Sequence, residues 1–253
     1  MREKTHERTL SRDKLATRSA LQGKDRICSP PSSRNNFQEN DTCFLSVSLE
    51  NSKFSAEKLS AISAWISRRF SRCTVLVGDS IHRITLESTA SMTPEAARTK
   101  ALSLGGKFMK EHRQIFDAFR EDTEFTYLTC SEVQTWESYP VHHQRLLNLF
   151  ATDHSFRLSV EAFGADYHRK HAADLTEADQ RYPVQRSSDY FLEEFAIFSC
   201  LQECKLSVMV YPGSFSTLTE IVSGQHASVP TELRQLIVVS LNISRTLRKV
   251  VSG

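Results

Sequence analysis

Residues 42 to 80 constrain the fold more than any other stretch of the chain. Thr42-Cys-Phe-Leu-Ser-Val-Ser48 is short, apolar and rich in β-formers, as a strand buried on both faces must be. A polar turn follows, Glu50-Asn-Ser-Lys-Phe-Ser55. Ser55 stands where a helix N-cap belongs. Beyond it Leu59, Ile62, Trp65 and Ile66 fall on one face of a helix expected over residues 56–70. Cys73-Thr-Val-Leu-Val77 is a second apolar run, ended by Gly78-Asp79-Ser80. Strand, turn, helix and strand at this spacing make a right-handed βαβ unit. Such a unit places Ser48, Asn51 and Asp79 at or just beyond the carboxyl ends of parallel strands, where open α/β sheets bind their ligands.

The same patterning predicts three more strands, over residues 124–130, 205–211 and 236–243. A long helix is predicted from Thr93 or Pro94 to about Arg120, with Pro94 in its first turn. Gly105-Gly106 costs this helix about 1 kcal/mol per glycine, which favours a kink or break there. Helical periodicity dominates residues 142–173 and returns over 187–201. The expected architecture is one α/β domain over residues 41–253, with a Rossmann-like, mostly parallel five-stranded sheet flanked by helices. Residues 1–40 are basic and polar, and contain Pro30-Pro31-Ser32-Ser33. They have little to bury and are expected to form a loosely ordered tail, with a short helix near residues 12–21. That tail either meets a polyanion or is simply solvated.

A net charge of +2 does not announce a nucleic-acid binder, so any basic face must come from local placement. The six cysteines are scattered among apolar neighbours, as reduced buried thiols would be. Cys200 and Cys204 lie four apart, but nothing nearby completes a zinc set, so no metal is expected. No apolar run approaches the ~20 residues of a membrane span, and the N-terminus lacks a secretory h-region. Cytoplasmic residence is the default expectation. G-x-S-x-G, G-x-G-x-x-G and P-loop sequences do not occur.

Three features can carry chemistry, each with a bland alternative. Ser48 leaves a buried strand into a turn, where its hydroxyl could attack an acyl group beside backbone N–H donors, or could simply be a turn serine. Tyr190 and Glu194 stand at i and i+4 on one helix face. They could hold an ammonium group, or lie on a solvated surface. Tyr211 ends an apolar strand before Pro212-Gly213, where its hydroxyl reaches toward Ser48 or caps the core.

In order and spacing, Phe44-Leu-Ser-Val-Ser48-Leu-Glu-Asn51-Ser52-Lys-Phe54-Ser55, then Tyr190-x-x-x-Glu194, then Tyr211-Pro212 resembles the tRNA-dependent cyclodipeptide synthases. The resemblance runs from about Thr42 to Ile243. It implies a fold like the catalytic domain of class I aminoacyl-tRNA synthetases, without HIGH-like or KMSKS-like ATP signatures. Asn51 matches one branch of the family and Tyr211-Pro212 the other, so no branch is assigned.

What the resemblance implies is a ping-pong synthesis of a 2,5-diketopiperazine from two aminoacyl-tRNAs, used in succession by a monomer without ATP, cofactor or membrane. Ser48 is the nucleophile. Tyr190 and Glu194 hold the α-ammonium group, Tyr211 relays protons, and Asn51 orients the substrate or the serine. The amine of the second aminoacyl-tRNA attacks the aminoacyl-serine to give a dipeptidyl-serine, and ring closure follows. Phe44, Ser46, Leu76, Cys130, Ile197 and Met209 form the pocket for the first side chain. Arg98, Lys100, Lys107, Lys110 and Arg113, with His112 among them, offer the tRNA a basic helix face, unless that face is merely solvated. A serine esterase or acyltransferase, and a non-catalytic tRNA-binding module, are the competing functions. The first would need a histidine near Ser48; the second would not need Ser48, Glu194 and Tyr211 together.

Overall fold

A computed structural model describes residues 21–171 and 177–245. The two apolar runs of the opening βαβ unit become strands β2 (Thr42–Val47) and β3 (Arg72–Val77), joined through helix α1 (Ala56–Ile66). β1 (Leu21–Ser29) precedes them. After β3 come α2 (His82–Ala90), α3 (Pro94–Asp117), β4 (Glu124–Thr129) and the short α4 (Cys130–Val133). The chain continues through α5 (Tyr139–Thr152), α6 (His154–His171), α7 (Glu177–Glu203) and β5 (Val208–Pro212). It closes with α8 (Ser216–Val222), α9 (Thr231–Arg234) and β6 (Ile237–Arg245).

The strand order is β1-β6-β5-β2-β3-β4, and every neighbouring pair from β6 to β4 is parallel. All five expected strands form. The sheet has a sixth, β1, antiparallel to β6 and drawn from the segment expected to be tail. The physical reason is tertiary. The apolar β6 has β5 on one side only, and β1 pairs its other edge despite its own polar composition. Gly23 suits the place, because a Cβ there would lie 3.1 Å from Trp65 Cβ on α1. Phe37, from the same supposed tail, is 1% exposed and stacks on Trp65 at 6.1 Å. The short helix expected near residues 12–21 falls outside the described residues, save for Leu21.

The predicted break at Gly105-Gly106 does not occur; α3 runs through both glycines. A Cβ on Gly105 would fall 2.6 Å from Asp79 Cβ, whereas one on Gly106 would meet nothing. Gly105 is therefore what lets α3 lie against the end of β3. The periodic stretch 142–173 is divided at Asp153, whose Oδ1 accepts from Phe156 N at 3.0 Å and starts α6.

Phe116 of α3 packs on Phe125 and Tyr127 of β4, with ring centroids 5.2 and 5.7 Å apart, on one face of the sheet. On the opposite face lies α7, where Phe198 meets Phe44 at 5.5 Å. Cys28, Cys43, Cys73, Cys130 and Cys200 are buried as thiols, while Cys204 is exposed. Among the described residues no helix is long and apolar enough to cross a membrane.

Candidate active site

The site arises from a match between two repeats. Two residues of strand advance about 6.6 Å, and four residues of helix about 6.0 Å. α7 runs antiparallel to β2 on one face, so the repeats stay nearly in step. Phe198 meets Phe44, Glu194 is hydrogen-bonded to the Ser46 hydroxyl, and Tyr190 to the Ser48 hydroxyl. Two of the three sequence features thus come together at the carboxyl end of β2.

The third joins them through Tyr211. It is 7% exposed at the end of β5 and close enough to act electrostatically on Tyr190. Its ring packs edge-on with Phe54 at 5.9 Å and Phe215 at 5.6 Å. The Tyr190 hydroxyl is held well above the usual tyrosine range, first by burial and then by Glu194, Cys130 and Tyr211, against which the Ser48 bond works. It therefore stays a protonated partner for Ser48.

Glu194 is 3% exposed, and burial pushes its carboxyl up to about 8 even though the Ser46 bond opposes the shift. Its Oε2 has no hydrogen-bond partner. A buried carboxyl with one idle oxygen is destabilised as an anion until a cation arrives. It is suited to receive an ammonium group.

Four of the six residues assigned to the first side-chain pocket lie in this layer. Phe44 is in register with Met209, and Ser46 with Leu76. Period-two alternation puts these four on the face that α7 covers. Ile197 and Cys130 are buried as well. The Cys130 thiol is pushed up by burial, then by Glu194, Asp79 and Glu193, so it stays neutral at the start of α4.

Asn51 stands in the turn beyond Ser48. Its Oδ1 accepts from Lys53 N at 3.0 Å and caps the 3-10 turn Ser52–Phe54. Sequence reasoning set Asp79 at this edge, but passed over the contacts that brace it. Glu50 adopts φ 55°, the left-handed region, and its carboxylate meets His82 Nε2 at 3.0 Å. Asp79 accepts from Ser131 N and Oγ at 2.8 and 2.6 Å, joining the ends of β3 and β4. Arg83 donates to both oxygens of Glu193, at 2.9 and 2.5 Å, and Gln134 adds a third bond at 3.0 Å. That bidentate pair fixes α2 to the α7 turn that carries Glu194. A cleft of about 310 Å³ opens beside it, with Arg98 on its wall.

Arg98, Lys100, Lys107, Lys110 and Arg113 are exposed on α3. Lys107 lies 3.8 Å from Glu111 and Arg113 3.6 Å from Asp117, pairs too exposed to hold much energy. One group among the described residues could ligate a metal: His142, Glu203 and Glu232 bring donor atoms within 4.8 Å of one another. His142 Nε2 is already bonded to Glu203 at 2.9 Å, and Arg145 lies 4.0 Å from Glu232, so these contacts tie α5 to α7 and α9.

The sequence profile of the family described as cyclodipeptide synthase matches residues 29–239. This chain belongs to the cyclodipeptide synthase family. Comparison with curated proteins gives no match. Solved cyclodipeptide synthases share the fold. The structure from Fluoribacter dumoffii has a TM-score of 0.74 at 21% identity, covering 89% of this chain and 100% of its own. One from Candidatus Glomeribacter gigasporarum, bound to Phe-tRNAPhe, has a TM-score of 0.63 at 17% identity, covering 88% of this chain and 94% of its own. The structure of a Mycobacterium tuberculosis protein is described as demonstrating that cyclodipeptide synthetases are related to type I tRNA synthetases. It has a TM-score of 0.65 at 16% identity, covering 90% of this chain and 94% of its own. The profile reaches back to Ser29, the last residue of β1, so in this cyclodipeptide synthase the family region begins within the supposed tail.

Proposed function

We propose that this cyclodipeptide synthase draws its two amino acids from two aminoacyl-tRNAs and carries them as esters of Ser48. The observation that carries the reading is the hydrogen bond between Ser48 and Tyr190 beside the idle oxygen of Glu194. The relative bound to Phe-tRNAPhe supports the choice of substrate.

Ser48 Oγ attacks the ester carbonyl of the first aminoacyl-tRNA. The departing 3′-oxygen takes up a proton, leaving an aminoacyl-serine. Tyr190 orients the Ser48 hydroxyl, and Tyr211 relays the proton. Glu194 is the counter-charge to the α-ammonium group. Its value of about 8 lies beside that of an α-amino group, about 7.7–8.0, so the two exchange a proton at little cost.

For the dipeptide to stay on Ser48, the attacking amine must be the one already bound to the enzyme. Attack by the second tRNA's amine, the order expected from the sequence, would leave the dipeptide on tRNA instead. The enzyme-bound amine therefore attacks the second ester carbonyl and releases the second tRNA. The new terminal amine then attacks the Ser48 ester, closing the six-membered ring and returning a proton to Ser48 Oγ. The substrate ester supplies the driving force, so no ATP step is required. A monomer suffices for every role named.

The test is expression in a bacterium with mass spectrometry of the medium, beside acid-quenched purified enzyme. Wild type should secrete a cyclodipeptide and carry one aminoacyl group. Ser48→Ala should do neither. Undiminished product from folded Ser48→Ala would end the covalent reading.

A further inference from the structure

The turn capped by Asn51 carries more than its own backbone. Its cap bond at Lys53 N, and a second from Phe54 N to Asn51 O at 2.9 Å, swing both side chains over the end of β5. Phe54 meets the edge of Tyr211, and Lys53 Nζ lies over the Tyr211 ring, 5.5 Å from its centroid. The lysine occupies a place shaped for it. At Gly213, where φ is +135°, a Cβ would fall 2.4 Å from Lys53 Nζ and 3.2 Å from Cε. The ammonium thus fills the side-chain space of residue 213, two residues beyond Tyr211.

We propose that Lys53 is a positioning residue for Tyr211, holding the phenol in place and stabilising its phenolate when Tyr211 gives up its proton. The proposal rests on the proton-relay role of Tyr211 in the reaction above. A cation over a neutral phenol is held weakly by the ring quadrupole, but over a phenolate it meets a full opposite charge. Lys53 therefore favours the deprotonated ring more than the protonated one, and that difference is what assists a proton transfer. The phenol O–H bond breaks as the proton passes to the departing oxygen. The phenolate then recovers the proton that Ser48 Oγ gives up as it is acylated, so the relay is complete at each transfer. Other groups near the ring include Tyr190 of α7 and Phe215 at the start of α8, while β6 places Ser240 in register with it. None of these is a cation. Asn51 gains a role here as well, through the turn that it caps.

The experiment uses the full chain with purified aminoacyl-tRNA, comparing wild type, Lys53→Met, Lys53→Arg and Gly213→Ala. Product formation is followed against pH, and the Tyr211 phenolate is titrated by ultraviolet difference against Tyr211→Phe. Lys53→Met should lower kcat by about 10- to 100-fold with KM within about twofold, and raise the phenolate midpoint by about one pH unit. Lys53→Arg should recover most of kcat, and Gly213→Ala, which displaces the ammonium, should resemble Lys53→Met. Wild-type kcat and an unmoved titration in Lys53→Met would overturn the proposal. So would a higher KM with unchanged kcat and a shallower salt dependence, the signature of a tRNA phosphate contact. If Lys53→Met does not fold, the wild-type titration decides: a Tyr211 phenolate no easier to form than free tyrosine's overturns the assignment. A folded wild type that makes no cyclodipeptide would sink the parent reaction, yet the titration would still judge Lys53.

Discussion

Ser46 and Glu194 are hydrogen-bonded across the layer between β2 and α7, and the other oxygen of Glu194 is buried without a partner. That bond sets the carboxyl one strand step inward from Ser48. It also leaves the free oxygen on a group that burial keeps protonated up to about pH 8. The pocket is consequently neutral at rest and becomes anionic when a cation enters.

This coupling is measurable as proton release. At pH 7 most Glu194 carboxyls carry a proton, and binding of an α-ammonium group should expel it. Calorimetry of a non-reactive aminoacyl ester analogue in buffers of different ionisation enthalpy should show close to one proton released per site. Glu194→Gln should abolish the release and reduce cyclodipeptide formation by about 100-fold or more. Stability follows the same group. Between the unfolded value of 4.5 and about 8 the folded chain holds a proton that the unfolded chain has lost, so stability falls as pH rises through that window. Glu194→Gln should therefore unfold at higher denaturant than wild type at pH 9, by roughly 3–5 kcal/mol, and match it at pH 4.

The two adjacent glycines of α3 should respond in opposite directions. Gly106→Ala adds a methyl group to open space and should stabilise the chain by about 0.5–1 kcal/mol. Gly105→Ala drives a methyl group into Asp79 and should cost about 1–3 kcal/mol. Since Asp79 holds Ser131, that variant should also lose activity. Urea melts of the two single variants decide the matter; equal midpoints would contradict the packing of α3 on β3.

If α3 is the tRNA face, charge should act through binding and not through chemistry. Lys100→Ala and Lys110→Ala should each raise KM for aminoacyl-tRNA and reduce the salt slope by about one. Lys107→Ala and Arg113→Ala should do less, because Glu111 and Asp117 partly offset those cations. KM measured from low to moderate salt checks the ranking, with kcat expected to stay near wild type.

Much of the architecture was legible along the chain. Strands of four to eight apolar residues and helices with a 3.6-residue stripe are read from neighbours two to four apart. That is why β2 to β6 and the Tyr190–Glu194 face could be placed, and why Ser48 could be set at a strand end. Other features depend on what arrives from far away. β1 is polar and becomes a strand only because β6 offers an open edge. Gly105 reads as a helix breaker until Asp79 is seen against it. Arg83 and Glu193 are 110 residues apart, and no local period links them.

The sequence by itself determined which residues could lie at the carboxyl edge of a parallel sheet, because side-chain direction follows from local repeat. Only the tertiary structure decided their chemistry. Whether Glu194 is neutral or charged, whether Tyr190 meets Ser48, and whether Lys53 lies over Tyr211 all depend on burial and on partners across the fold. Those quantities are set by the distance through space, which the order of residues does not contain.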